Sequence, residues 1–465
     1  MSIDLRAHLR WATALGLVVS HSASAQSVLP SGDSLTRLLR PWMEQGLTMG
    51  VTVGIANQSA ARVKSMGHAN ELGSAPPTDS TIFEIGSISK VLTGTLLADM
   101  VIRGEVGLDD PVRRYLPPTV HVPSRANREI TLRDLATHAS GLPRDPDNQH
   151  PADARDPMAG YGEAELYAFL SSYTLTRAPG DSVSYSNVGM ALLGHALARR
   201  AGRDYESLVR ERILMPLGMR DTYIGPASRS TLAGREAAGH TEDLDPTPAW
   251  TFRGSVLLGE GAWRSSARDM LKFARAAASP LSSVVGRALY LAEAPQREFA
   301  GPGDSVGLGW MALDRHGRRL LWHNGGTGGF TSMLAVERAT GRGVIVLTNA
   351  FADIDLIAYH LLDPAVPFTP PSPRPWVTVA PSVADRYVGT YEFPSGSRSQ
   401  VVRDGDRLYY IPSGVPRMRL YAENQVKFFL RSGRDVEFVV DNTGAVREAV
   451  IRRGSKEFRA RRVDR

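Results

Sequence analysis

The sequence predicts an α+β protein: an antiparallel sheet flanked by helices plus an all-helical region, followed by a small C-terminal antiparallel β-barrel or sandwich. Three observations carry that reading. Strand patterns stand at both ends of the first 362 residues with helical patterns between them; a proline-rich stretch follows at 363–381; and after it come short β-rich runs separated by Gly, Asn and Asp turns.

The elements follow in order. Residues 49–58 (MGVTVGIANQ) and 61–70 (ARVKSMGHAN) read as two strands around a polar turn. Helical periodicity then appears in SKVLTGTLLADMVIRG, ITLRDLATH, NVGMALLGHALARRAG and SSARDMLKFARAAA. Strands return at 318–323, 330–337 and 343–350, the last two joined as a hairpin by RATGRG. Strands, then helices, then strands favour an antiparallel sheet with a helical region over the βα alternation of a parallel sheet. The segment DPAVPFTPPSPRPWVTVAP (363–381) predicts an extended connector, because repeated prolines disfavour helix and strand. Residues 382–465 then form a β-rich, lipocalin-like domain, and 26–362 form the larger domain.

The N-terminus has the order of a secretory leader: Arg6 and Arg10, the apolar run Trp11 to Val19, then Ala23, Ser24 and Ala25 before Gln26. Cleavage near Ala25 predicts a periplasmic or secreted protein. No other segment reaches the ~18 apolar residues of a membrane span. There is no cysteine, which excludes thiol catalysis, disulfides and cysteine metal sites. The net charge of +6 is concentrated in residues 382–465, which hold 17 Lys+Arg against 11 Asp+Glu. Those charges are interleaved, predicting a solvated face and no nucleic-acid groove, with contact to an anionic envelope polymer such as peptidoglycan left open.

The chemistry-bearing stretch is FEIGSISKVLTGTLLADMV, residues 83–101. Ile88, Val91, Leu92, Leu96, Leu97, Met100 and Val101 recur at helical spacing and Gly104 can end the helix. Positions i and i+3 share a helix face, so the Ser87 hydroxyl and the Lys90 amine can meet, and a neutral amine can accept the serine proton. If Ser87 sits at the helix N-terminus, its backbone N–H favours an oxyanion beside it. Ser-x-x-Lys alone is a weak signal that needs partners. Tyr185-Ser186-Asn187 offers a phenol, as a proton relay or a core residue, and His323-Asn324-Gly325-Gly326 offers glycines that let a substrate approach backbone donors.

Taken together, Ser87/Lys90, Tyr185/Asn187 and His323/Gly325 resemble the three signature elements of the serine β-lactamase and penicillin-binding superfamily. The text around them, including RGEVGLDDPVRRYLP, ITLRDLATHASGLP and APGDSVSYSNVGMALLG, is most similar to the class C β-lactamases with their esterase and peptidase relatives, over residues 45–350. The resemblance implies a β-lactamase/transpeptidase-like fold and a Ser87 acyl-enzyme. It gives proton transfer to Lys90 and Tyr185 jointly, and makes Asn187 the residue that orients Lys90 and binds substrate amide. It places His323, Asn324, Gly325 and Gly326 against substrate and forms the oxyanion hole from the backbone N–H groups of Ser87 and Gly326. It implies no cofactor and no metal. The implied substrate is a small molecule: a β-lactam first, an ester or D-alanyl peptide nearly level with it, and a non-turnover penicillin-recognising protein as the non-enzymatic alternative. The near-level order has a reason. Class C enzymes carry Lys where this chain has His323, and histidine is mostly neutral at pH 7.

Competing motifs fail on context. GDSVG, residues 303–307, matches the nucleophile elbow, but no buried strand precedes Ser305 and no helix follows it. His121, His138, His150 and His240 lack metal-ligand spacing, and the resemblance puts His138 in a loop bordering the site. Arg144 and Asp145 read equally as substrate-facing residues or an exposed pair.

Overall fold

The computed structural model describes residues 29–463 except 226–231, 280–282, 300, 302, 371, 373, 395, 413–416, 432 and 454–455. The leader expected at 1–25 lies outside the described residues.

Eight antiparallel strands form the central sheet: β1 (Gly50–Ala56), β2 (Ala61–Gly67), β3 (Arg297–Glu298), β4 (Asp304–Val306), β5 (Met311–Arg315), β6 (Arg318–Gly326), β7 (Thr331–Glu337) and β8 (Arg342–Thr348). Their order is β2-β1-β8-β7-β6-β5-β4-β3, so the two ends of the larger domain meet where β1 pairs with β8. Strand alternation divides the core. Leu334, Val336, Ile345 and Leu347 face the helical region, while Met333, Ala335, Val344 and Val346 face the other side. There they meet α1 (Gly32–Glu44) and the helix Asp355–Leu362. Both faces are covered, which is why the inner strands read as nearly continuous apolar runs.

The helical region is organised around α2 (Ser89–Ile102). Every residue from Ser89 to Met100 is buried, so α2 is enclosed by neighbours on all sides. Close packing requires a small residue at Gly94: a Cβ built there would lie 1.8 Å from the Leu308 carbonyl oxygen. A second long helix, α3 (Asn187–Ala201), starts at Ser186, whose Oγ accepts the Gly189 N–H. Ser305 lies in β4, where its hydroxyl accepts from Arg319 Nη2 at 2.9 Å. It is a sheet residue, in keeping with the failed elbow motif.

The C-terminal segment closes into an eight-stranded antiparallel barrel, settling the choice between barrel and sandwich. Its strands are β9 (Gly389–Glu392), β10 (Arg398–Asp404), β11 (Arg407–Pro412), β12 (Met418–Ala422), β13 (Lys427–Phe429), β14 (Asp435–Val440), β15 (Val446–Arg453) and β16 (Lys456–Arg462). Closure comes from β9 pairing with β16, and the interior is filled by residues such as Tyr387, Tyr391, Phe428 and Phe438. The barrel docks on the larger domain through polar contacts. The Tyr421 hydroxyl donates to Asp243, Arg419 and Arg407 lie 3.7 Å from the same carboxylate, and Arg431 Nη1 donates to the Gly46 carbonyl at 3.1 Å. Part of the C-terminal basic excess is therefore turned onto the chain's own acidic loop. Among the described residues, no helix is long and apolar enough to cross a membrane.

Candidate active site

Ser87 stands in the middle of a single 3-10 turn, Gly86–Ile88, that runs directly into α2. Hydrogen bonds hold the turn from two sheets. Ile85 N–H donates to Trp263 O at 3.0 Å, Trp263 N–H donates to Ser89 Oγ at 3.1 Å, and the Ser332 hydroxyl of β7 donates to Ile85 O at 2.8 Å. One turn on, Lys90 is fully buried with Nζ 2.9 Å from Ser87 Oγ and 2.6 Å from the Glu260 carbonyl oxygen. An amine that donates one N–H to that carbonyl still has, when neutral, a lone pair for the serine O–H. This is the contact a serine nucleophile and its base require.

The oxyanion frame is built by backbones in contact. Gly86 has φ +47°, and a Cβ on it would lie 2.7 Å from Gly326 N; a Cβ on Gly325 would lie 2.9 Å from Ser87 N. Only glycine allows the nucleophile turn and the end of β6 to approach so closely. Thr327 N–H donates to Phe330 O at 3.0 Å, so by antiparallel alternation Gly326 and Thr331 form a non-hydrogen-bonded pair. The Gly326 N–H therefore turns away from β7, on the side where β5 has already ended at Met311.

Tyr185 joins Ser87 in one cleft of about 370 Å³, with His323, Asn324, Gly325 and Gly326 on its wall. The ring is stacked on His138 at 4.3 Å and tilted to His323 at 6.2 Å; Lys90 Nζ and Arg144 Cζ lie 5.0 and 5.2 Å from its centroid. Among the described residues its hydroxyl makes no hydrogen bond to Ser87 or Lys90. The resemblance implies both an amine and a phenol acting at the serine oxygen, and here, among the described residues, the amine is the group hydrogen-bonded to it. Lys90 meets the tyrosine through the electron-rich ring face, an attraction that needs no hydroxyl.

His323 is 1% exposed. Its Nδ1 lies 2.6 Å from the Asn324 carbonyl, so Nδ1 carries the proton and Nε2 is the acceptor, buried and without a partner among the described residues. Burial, reinforced by the Lys90 charge, pushes its pKa down to about 3, so the ring is neutral through the physiological range. His138 is likewise buried and pushed well below its ordinary value, chiefly by desolvation. It was expected at the border of the site; it is packed directly on Tyr185. Asn324 Nδ2 donates to Asp355 at 2.9 Å.

Asn187 departs from its expected role. Its Nδ2 donates to Asp145 Oδ1 at 2.8 Å, it makes no hydrogen bond to Lys90, and its Oδ1 is buried without a partner among the described residues. The Glu260 carbonyl is what holds Lys90. Asn187 sits in the first turn of α3, where Asp145, on the loop that also bonds its backbone through Arg144 O, reaches its amide first. Arg144 and Asp145 are therefore part of the site's surroundings as well as a pair, 3.6 Å apart.

Sequence reasoning missed Glu260. It lies on the short helix Leu258–Gly261, 4% exposed, and burial raises its pKa to about 8 against the opposing pull of Lys90. Nothing in GEGAWRSSARDM distinguishes this glutamate, since its position depends on a backbone carbonyl meeting a lysine 170 residues away.

The family model described as Beta-lactamase matches residues 35–362. The chain is 29% identical over 319 residues to the D-alanyl-D-alanine-carboxypeptidase/endopeptidase AmpH of Escherichia coli, covering 65% of this chain and 79% of that protein. A solved class C beta-lactamase superposes with TM-score 0.61 at 23% identity, covering 71% of this chain and 95% of its own. The octameric penicillin-binding protein homologue from Pyrococcus abyssi superposes with TM-score 0.63 at 21% identity over 92% of this chain and 99% of its own. The fold is that of these structures.

Proposed function

This chain belongs to the beta-lactamase family and is a serine hydrolase, and from that premise we propose that it is an exported carboxypeptidase of D-alanyl peptides with accompanying esterase activity, acting through a Ser87 acyl-enzyme. The observation that carries the proposal is the 2.9 Å contact of Lys90 Nζ with Ser87 Oγ beside two glycine-apposed backbone N–H groups. Lys90 takes the Ser87 proton as Oγ attacks the substrate carbonyl carbon, and the oxyanion forms against the N–H groups of Ser87 and Gly326. Collapse breaks the C–N bond and the departing amine receives the proton, by way of Lys90 with Tyr185 alongside. Water then attacks the ester, gives up its proton along the same route, and releases Ser87 with a free acid.

One observation orders the substrates this way: AmpH is a D-alanyl-D-alanine carboxypeptidase by name. β-Lactam hydrolysis is the second reading, favoured by the superposition on a class C enzyme. Intact-mass spectrometry tests both. Wild type incubated with a penicillin forms an adduct on Ser87, and Ser87→Ala forms none. Steady nitrocefin turnover favours the second reading, and an adduct that persists after drug removal favours non-turnover recognition. Failure of Ser87 to acylate with any peptide, ester or penicillin overturns the proposal. Export rests on the leader, and Edman sequencing of secreted protein starting at Gln26 tests it. Contact of the basic barrel with peptidoglycan is proposed on charge alone, and co-sedimentation with isolated sacculi tests it.

A further inference from the structure

The open edge of β6 leads from the nucleophile to an apolar corner. Pairing between β5 and β6 stops at Met311 and Trp322, which stand opposite each other, and His323 to Gly326 continue without β5 beside them. At ~3.3 Å per residue, the edge from Gly326 to His323 is about 10 Å long. Phe299 joins the corner: its N–H donates to Asp304 O at 3.0 Å, just before Val306, the partner of Met311 on its other side. Phe299, Met311 and Trp322 line the same cleft as Ser87 and Tyr185. Phe299 and Trp322 are half-buried, Met311 is buried, and the indole is braced edge-on against Tyr359 at 5.9 Å.

Polar groups on the neighbouring wall are engaged. Asn324 donates to Asp355 at 2.9 Å, Arg144 lies against the Tyr185 ring and 3.6 Å from Asp145, and Arg434 Nη1 donates to Met418 Sδ of the barrel at 3.7 Å. What the corner offers a substrate is apolar surface with aromatic faces. The direction of the substrate follows from the proton route. The scissile carbonyl is held at the Gly326 end, while Tyr185, alongside the departing amine, stands 6.2 Å from His323. The departing residue therefore runs along the edge toward Met311 and Trp322. A methyl on that residue ends about 4 Å from the scissile carbon, short of the corner, and an aromatic side chain extends several bonds further. Resting on the serine-hydrolase reading above, we infer that Phe299, Met311 and Trp322 form a specificity site for the departing residue, and that the substrate class is a D-alanyl peptide ending in a large apolar or aromatic D-residue.

The test compares N-acetyl-D-Ala-D-Phe with N-acetyl-D-Ala-D-Ala on the full-length protein, by chromatography of the released amino acid. Wild type prefers the aromatic peptide by roughly tenfold or more in kcat/KM, the discrimination a matching apolar pocket supplies. In Phe299→Ala and in Trp322→Leu that ratio falls roughly tenfold, mostly through KM of the aromatic peptide. Phe299 is the safer site, being half-buried at the end of a short strand, and a native Tm in Phe299→Ala separates lost contact from lost folding. Equal wild-type rates on the two peptides, or a ratio unmoved in Phe299→Ala and Trp322→Leu, overturns the inference. So does a preference that appears only with N-acetyl-D-Phe-D-Ala, which would put the aromatic group on the acyl side. Ser87→Ala separates this from the parent reading: if it still cleaves both peptides, the serine mechanism itself fails, whereas Ser87-dependent cleavage without aromatic preference sinks the specificity site alone.

Discussion

Gly325→Ala tests the geometry on which catalysis depends. A methyl on Gly325 would lie 2.1 Å from the Ile85 carbonyl oxygen, 2.6 Å from Ser332 Oγ and 2.9 Å from Ser87 N. An ordinary C···O approach is about 3.3 Å or more, so β6 and the nucleophile turn must part by about 1 Å. The neighbours resist. Ile85 O already accepts from Ser332 and from the Ile88 N–H at 3.1 Å, and the turn continues without a break into the enclosed helix α2. Overpacking of this kind costs about 1–3 kcal/mol of stability. The catalytic cost is larger, because a ~1 Å misplacement is worth ~10²-fold and loss of one oxyanion donor ~10²- to 10³-fold. We expect the Ser87 acylation rate constant to fall ~10²- to 10³-fold while circular dichroism stays native. Stopped-flow or quenched intact-mass acylation measures it. Gly326→Ala is the comparison: its Cβ would meet only Phe351 at 3.4 Å and Phe330 O at 4.0 Å, and the N–H survives. Its loss should be at least tenfold smaller. Equal damage from the two substitutions, or Gly325→Ala acylating at the wild-type rate, would refute the backbone-contact account of the oxyanion hole.

Three more outcomes follow from the same structure. Glu260 has its folded pKa raised to about 8, above the unfolded value, so the stability it contributes is full below the unfolded pKa and is lost as pH rises toward 8; Glu84 and Glu293, each raised to about 7 by burial, act in the same sense. Glu260→Gln should therefore flatten the decline of Tm between pH 5 and 9, and a slope identical to wild type in a thermal-shift pH series would contradict the burial of that carboxyl. With His323 held neutral down to about pH 3, no limb of the kcat/KM profile between pH 5 and 8 belongs to it. His323→Gln should change the height of that profile and not the apparent pKa values, and disappearance of a limb near 6.5 would show the ring titrates there. Asp243→Asn removes the carboxylate that accepts from Tyr421 and faces Arg407 and Arg419. Loosened docking should speed limited proteolysis of the 363–381 connector; protection equal to wild type would place the docking energy elsewhere.

The sheet strands, the Pro-rich connector and the β-rich tail were legible because alternation, proline content and turn residues are local signals. Helix α2 was legible as a helix but not as an enclosed one, since enclosure depends on neighbours that come from distant parts of the chain. Ser87 with Lys90 could be found because one helical turn separates them. The Asp145 partner of Asn187 could not be read, since it depends on how the 143–145 loop lies over α3. Glu260 gave no signal at all, because what matters is its main-chain oxygen.

By itself the amino-acid sequence determined the strand and helix patterns, the β-rich tail after a proline-rich stretch, and the meeting of Ser87 with the Lys90 amine, all of which arise from signals within a few residues. Tertiary structure alone decided which carbonyl holds Lys90, that Tyr185 offers its ring face, that His323 is neutral, and that a barrel residue enters the cleft. Those depend on burial and on distances between groups far apart in the chain, and neither quantity is encoded in spacing.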